Sequence, residues 1–170
     1  MGTFDRKQTA RHEAGHAAAM ILRGRLPRSV SASHAEAGVY GRMDVAWDEE
    51  GELDPEAVAD LVISIHAGPI HAGDPGWPPR WPPSIGAPGD AGQIAACAKY
   101  LNMDRSDWDA AYVEAAALTG NPEFGRIAGL IARALELSDE IDSDGLRRLI
   151  GEDRLELFGI DPPLHEETTP

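Results

Sequence analysis

The string His12-Glu13-Ala14-Gly15-His16 constrains this chain more than any other feature, because it sets two imidazoles and a carboxylate in a run otherwise suited to burial. Ala10, Ala17, Ala18, Ala19, Met20 and Ile21 surround it. Residues 5–22 are rich in good helix formers and contain no proline. They predict a mostly buried helix, with Asp5 and Gln8 as its cap and Gly24 and Pro27 ending the run. Residues four apart on a helix lie on one face, a turn apart, so both imidazoles can converge on one cation. Burying these groups without strong partners would be costly. A metal site removes that cost, and a hydrogen-bonded or solvent-facing helix without an ion is the bland alternative.

Zinc is the expected ion, one per chain, because it accepts imidazole and carboxylate in a near-tetrahedral set and keeps one position for water. Glu13, beside such an ion, could take a proton from the water and pass it to a leaving amine. Two histidines leave the ligand set incomplete. No second HExxH and no inverted HxxEH occurs, and the next histidine along is His34. Asp90 is the best third candidate, since it follows the turn Gly86-Ala87-Pro88-Gly89 and opens the helical stretch AGQIAACAKYL. Aspartate at a helix start more commonly acts as a plain N-cap, so from spacing alone both roles stay open.

The remaining reactive side chains have plainer readings. His66 and His71, placed in and just after a second helix, read as packed or surface histidines, with support of the site or alternate ligation as the lesser alternative. His34, on a predicted strand, and His165, in the tail, read as incidental. Cys97 is the single cysteine, so it closes no disulfide within the chain, and it sits in an apolar run where a buried thiol is unremarkable.

Along the chain, residues 29–45 suggest two short strands of a hairpin or edge sheet. An acidic connection over 47–53 leads to Asp54-Pro55, which opens the second helix with Val58, Leu61, Val62 and Ile65 at helical spacing. Residues 73–89 carry six prolines and exclude regular helix or central strand. Trp77 and Trp81 either pin that loop or wall a cleft near Asp90. Further helices are expected over 90–101, over 105–118 behind an Asp104 cap, over 122–137 with Phe124, Ile127, Ile131 and Leu135 on one stripe, and over 144–150. An acidic, proline-containing tail that frays is expected to follow. The expected fold class is α+β, mainly α-helical, in one domain over residues 1–160 with a flexible tail over 161–170.

The 29 acidic and 15 basic residues give a net charge of −14, which disfavours nucleic acid and anionic membrane surfaces as partners. No export signal and no apolar run of the roughly eighteen residues needed for a membrane span is evident, so a soluble cytoplasmic protein is the expectation.

TARHEAGHAAA, residues 9–19, resembles the alanine-flanked HEAGH helix in the peptidase domain of FtsH-type ATP-dependent zinc metalloproteases. IGAPGDAGQIAACAKYL, residues 85–101, is similar to that family's glycine-alanine turn, ligand aspartate and following helix, and residues 121–150 look like its late helix pair. The resemblance covers most of residues 5–150 in order. It implies His12 and His16 as histidine ligands, Asp90 as third ligand, Glu13 as catalytic glutamate, and a small β-element beside the cleft along which extended substrate could lie. There are departures. The family's Gly-Gly-Arg-x-Ala-Glu pattern is replaced by Ala67-Gly68-Pro69-Ile70-His71-Ala72, and its threonine-rich approach to the aspartate by Trp81-Pro82-Pro83-Ser84-Ile85. No G-x-x-x-x-G-K-[ST] loop occurs and only eleven residues precede His12, so ATP-driven unfolding is not expected to be intrinsic.

The leading expectation is therefore a zinc metalloendopeptidase acting on peptides or already unfolded chains, with a separate ATPase or delivery protein as a partner. The family's hexameric rings make a homo-oligomer a further expectation. Two alternatives stand beside it: a specialised zinc hydrolase for a dedicated small amide or peptide, and a non-catalytic binding or assembly module that keeps the fold.

Overall fold

The computed structural model describes residues 6–32, 42–44, 54–84 and 89–162. The expected cap at Asp5, His34, the connection over 47–53, the turn over 85–88 and the tail from 163, with His165, lie outside them. Small residues line the buried side of the first helix, α1 (Arg6–Leu22), and decide its place: Ala10, Ala14, Ala17 and Ala18 are fully buried. Small side chains let neighbouring helices approach closely. α1 packs against α2 (Pro55–Ala72) on one side and α5 (Pro122–Leu137) on another.

Capping chemistry sets the helix limits. Asp54 accepts from the Glu56 and Ala57 amides ahead of Pro55, and Gly73, at φ 75°, supplies the left-handed C-cap that ends α2. The Asp74 amide then donates to the Pro69 carbonyl at 2.9 Å, completing the turn. α2 therefore runs through Pro69 and includes His71, which the sequence placed just beyond the helix. α3 spans Asp90–Tyr100, and α4 (Arg105–Thr119) starts behind Asp104 in a reciprocal capping box with Asp107. In α5 the expected stripe is realised, with Phe124, Ile127, Ile131 and Leu135 all fully buried.

Three short strands form one antiparallel sheet in the order β2-β1-β3, from β1 (Ser29–Ser31), β2 (Arg42–Asp44) and β3 (Glu140–Asp142). Val30 in the central strand is paired in register with Met43 of β2 and Ile141 of β3. The third strand was not expected. Its Glu-Ile-Asp sequence offers a single apolar residue, and only pairing with β1 makes it a strand.

After β3 come α6 (Ser143–Ile150) and a further short helix, α7 (Glu152–Glu156). Leu155 and Ile160 are buried in the main core with the α1 and α5 side chains. A second apolar cluster joins Val58, Leu61, Val62 and Ile65 of α2 to Ile94, Cys97 and Ala98 of α3 and Trp108 of α4. Trp77 and Trp81 pack onto this cluster, so the proline-rich segment is pinned by them. The Arg23 and Arg25 guanidiniums grip the buried Asp60 carboxylate at 2.6 and 2.7 Å, tying the end of α1 to α2. Among the described residues the architecture is mainly helical with a small antiparallel sheet, and no helix is long and apolar enough to cross a membrane.

Candidate metal centre

His12 and His16 stand one turn apart on α1 with their ring centroids 4.7 Å apart and their planes nearly perpendicular. The helix supplies that pairing without help from the rest of the fold. Asp90 arrives from the first residue of α3, across 78 positions of sequence. Its Oδ2 lies 2.7 Å from His12 Nε2 and 3.3 Å from His16 Nε2. Both imidazoles therefore direct the same ring nitrogen at one carboxylate oxygen. The N-cap position of α3 belongs to Gly89, at φ 62°, and no side chain caps this helix. The plain N-cap role for Asp90 is thus replaced by contact with the two histidines.

Glu13 lies on the same helix, 6% exposed, and ligand-type atoms of His12, Glu13 and His16 all fall within 4.8 Å of one another. Two carboxylates consequently flank the imidazole pair, one from α1 and one from α3. Their environments separate them. Burial pushes the Glu13 carboxyl above its ordinary value, with Asp90 adding to the rise and His16 and His12 opposing it. Burial also works against the Asp90 charge, but His16 and His12 outweigh it and hold Asp90 well below the usual carboxylate range. His16 shows the converse: burial disfavours its charge, yet Asp90, Glu13 and the Ser64 carbonyl together raise it to about 9. A carboxylate that stays ionised suits a metal ligand, and one that retains proton affinity suits a base.

The His16 ring is fixed from behind. Its Nδ1 lies 2.8 Å from the Ser64 carbonyl oxygen, which can only accept, so Nδ1 carries the proton and donates. Loss of the second ring proton, as on binding a cation, therefore frees the lone pair at Nε2, toward His12 and Asp90. The Ser64 hydroxyl donates in return to the His16 carbonyl at 3.0 Å. Four residues on, Gly68 faces the ring, and a Cβ there would sit under 3.0 Å from three of its atoms.

This donor set fits a zinc-like ion in chemistry and nearly in spacing. Two ligands of a tetrahedral ion with bonds of about 2.0–2.1 Å stand roughly 3.3–3.4 Å apart. The His16–Asp90 separation of 3.3 Å meets that, whereas the His12–Asp90 separation of 2.7 Å is a hydrogen-bond length that has to open. Nitrogen, nitrogen and carboxylate oxygen are ligands such an ion accepts.

The other described histidines, His66 and His71, serve packing. His66 is fully buried, its Nδ1 accepts from the Trp77 indole N–H at 3.0 Å, and its Nε2 has no hydrogen-bond partner. The ring meets Trp108 and Tyr112 edge-on at 5.0 and 5.5 Å. His71 packs edge-on against Phe124 at 5.4 Å, and its carbonyl accepts from Arg11. Neither belongs to the cluster of ligand-type atoms among the described residues. Trp77 meets His66 and Trp81 meets Trp108, so both tryptophans brace α2 and α4. Cys97 is buried as expected, and burial pushes its thiol up, away from nucleophilic chemistry.

Ser64 and Gly68 escaped the sequence reading. Serine inside an apolar helix carries no distinguishing signal. Gly68 does: a glycine interrupting a helical pattern marks a close approach of something to the backbone, here the His16 ring. Compared with known proteins, the chain matches no family model and no curated sequence.

Proposed function

We propose that this chain is a zinc-dependent peptidase that hydrolyses peptide bonds in peptides or already unfolded chains, with an architecture related to the peptidase domain of FtsH-type metalloproteases. The observation carrying this reading is the convergence of His12 Nε2 and His16 Nε2 on Asp90 Oδ2, with the buried Glu13 carboxylate next to His12 on α1. His12, His16 and Asp90 would hold the ion. A divalent ion bound there supplies a Lewis acid for the scissile carbonyl and acidifies water at neutral pH.

The chain's own residues supply the rest. Glu13, its proton affinity raised by burial, accepts the proton of the attacking water at its carboxylate and returns it to the departing amine nitrogen. Asp90 remains ionised throughout, because the two imidazoles beside it keep its carboxylate acidic. In this reading an extended peptide pairs with an outer strand of the β2-β1-β3 sheet.

Glu13→Gln provides the test, because glutamine keeps the size of the side chain and removes the base. The variant is expected to bind one zinc per chain with wild-type affinity and to lose at least ~100-fold in turnover of unfolded casein. Equal turnover by the variant and the wild type refutes the proposed mechanism.

A further inference from the structure

Resting on the reading of His16 as a metal ligand, we infer that Ser64 and Gly68 of α2 form a socket that sets the tautomer and ring position of His16, making α2 the positioning element of the metal centre. Three independent contacts converge on that ring and its backbone. The Ser64 carbonyl accepts a hydrogen bond from Nδ1–H at 2.8 Å. The Ser64 hydroxyl clips the His16 carbonyl at 3.0 Å. Gly68 presents bare backbone to the flat of the ring, and the nearest neighbours of a Cβ built there are Cε1, Nε2 and Nδ1 of His16.

The geometry explains why α1 alone is insufficient. A helix brings two histidines to one face but leaves each ring free to rotate and to carry its proton on either nitrogen. The carbonyl at residue 64 removes the second freedom, and the absent side chain at residue 68 removes the first by giving the ring one place to lie. Gly15 completes the arrangement. A Cβ on it would approach the Gly68 Cα at 2.9 Å, so the two helix backbones meet here, which is what brings residue 64 within reach of His16. His12, by contrast, is partly exposed and draws its close polar contact from Asp90. The socket therefore acts on one ligand only. Removing a group that orients a metal-bound histidine typically weakens metal affinity by about 10–100-fold.

The experiment uses the full chain and compares wild type with Gly68→Ala, His16→Ala and the double variant. In the metal-free protein at a pH above about 9, where the His16 ring is neutral, long-range proton–nitrogen NMR of the imidazoles reports the His16 tautomer, expected as Nδ1–H in the wild type and disturbed in Gly68→Ala. Cobalt(II) titration against a chelator is expected to show about 10–100-fold weaker binding by Gly68→Ala, with a shifted visible band. Chemical denaturation is expected to show that the alanine at residue 68 destabilises the wild-type background and ceases to do so once the His16 ring is removed. Unchanged tautomer, cobalt affinity and band overturn the inference. So does equal destabilisation with and without the ring. Should Gly68→Ala fail to fold, recovery of folding in the double variant supports the socket, and no recovery overturns it. A wild type that binds no cobalt defeats the metal reading instead, while the tautomer and the stability comparison still decide the socket.

Discussion

Asp90 and Glu13 are chemically alike and lie beside the same pair of imidazoles, yet their surroundings drive them in opposite directions. Asp90 contacts both Nε2 atoms and is kept acidic, whereas Glu13 is buried and pushed upward. Asp90→Asn is expected to reduce zinc affinity by at least ~100-fold in chelator competition, because loss of a ligand should exceed loss of a group behind a ligand. His66 makes a second prediction. Burial lowers its pKa from 6.5 to about 4, so the folded chain refuses a proton that the unfolded chain accepts. Its contribution to stability is complete above pH 6.5 and is lost as the pH falls toward about 4. That range corresponds to about 3 kcal/mol. Urea unfolding across it should show a steeper loss in the wild type than in His66→Gln, which keeps an acceptor for the Trp77 N–H. Parallel curves would contradict this role for His66.

Between elements, the contact of α1 with α2 matters most, since it holds the centre together. Gly15→Ala tests it by setting two effects against each other. Alanine gains about 1 kcal/mol in helix propensity over glycine. Against this, the new methyl meets backbone, the Gly68 Cα at 2.9 Å and the Ala67 carbonyl oxygen at 3.1 Å, and backbone cannot swing away as a side chain can. Overpacking typically costs about 1–3 kcal/mol, and rigid neighbours favour the upper end. A net loss of about 2 kcal/mol is expected by chemical denaturation, with weaker zinc binding as the helices separate. Helix limits were legible in the sequence because capping is local: Asp54 with Pro55, Asp104 with Asp107, and Asn121 with Pro122 each act within a few residues. β3 was not, because Glu140-Ile141-Asp142 becomes a strand only when β1 lies beside it.

Across the whole molecule, the last described residues close the main core. Leu155 and Ile160 are buried among the side chains of α1 and α5. Leu155→Ala is expected to cost about 2–5 kcal/mol by urea or thermal unfolding. Ending the chain at Ile150 removes both side chains together with α7. The loss then approaches the whole stability of a typical domain, about 5–15 kcal/mol, and that truncated chain is expected not to fold cooperatively. A truncated chain retaining a sharp unfolding transition would refute this.

The His12–His16 clamp was determined by the sequence alone, because helical periodicity places residues four apart on one face in any context that permits a helix. The choice of Asp90 as its partner, the tautomer of His16 and the burial that separates Glu13 from Asp90 were decided only by the tertiary structure. Each depends on segments distant in the chain meeting: α3 with α1 across 78 residues, and α2 with α1 across 48. Local spacing carries no information about such meetings, which follow from how small side chains let the helices pack.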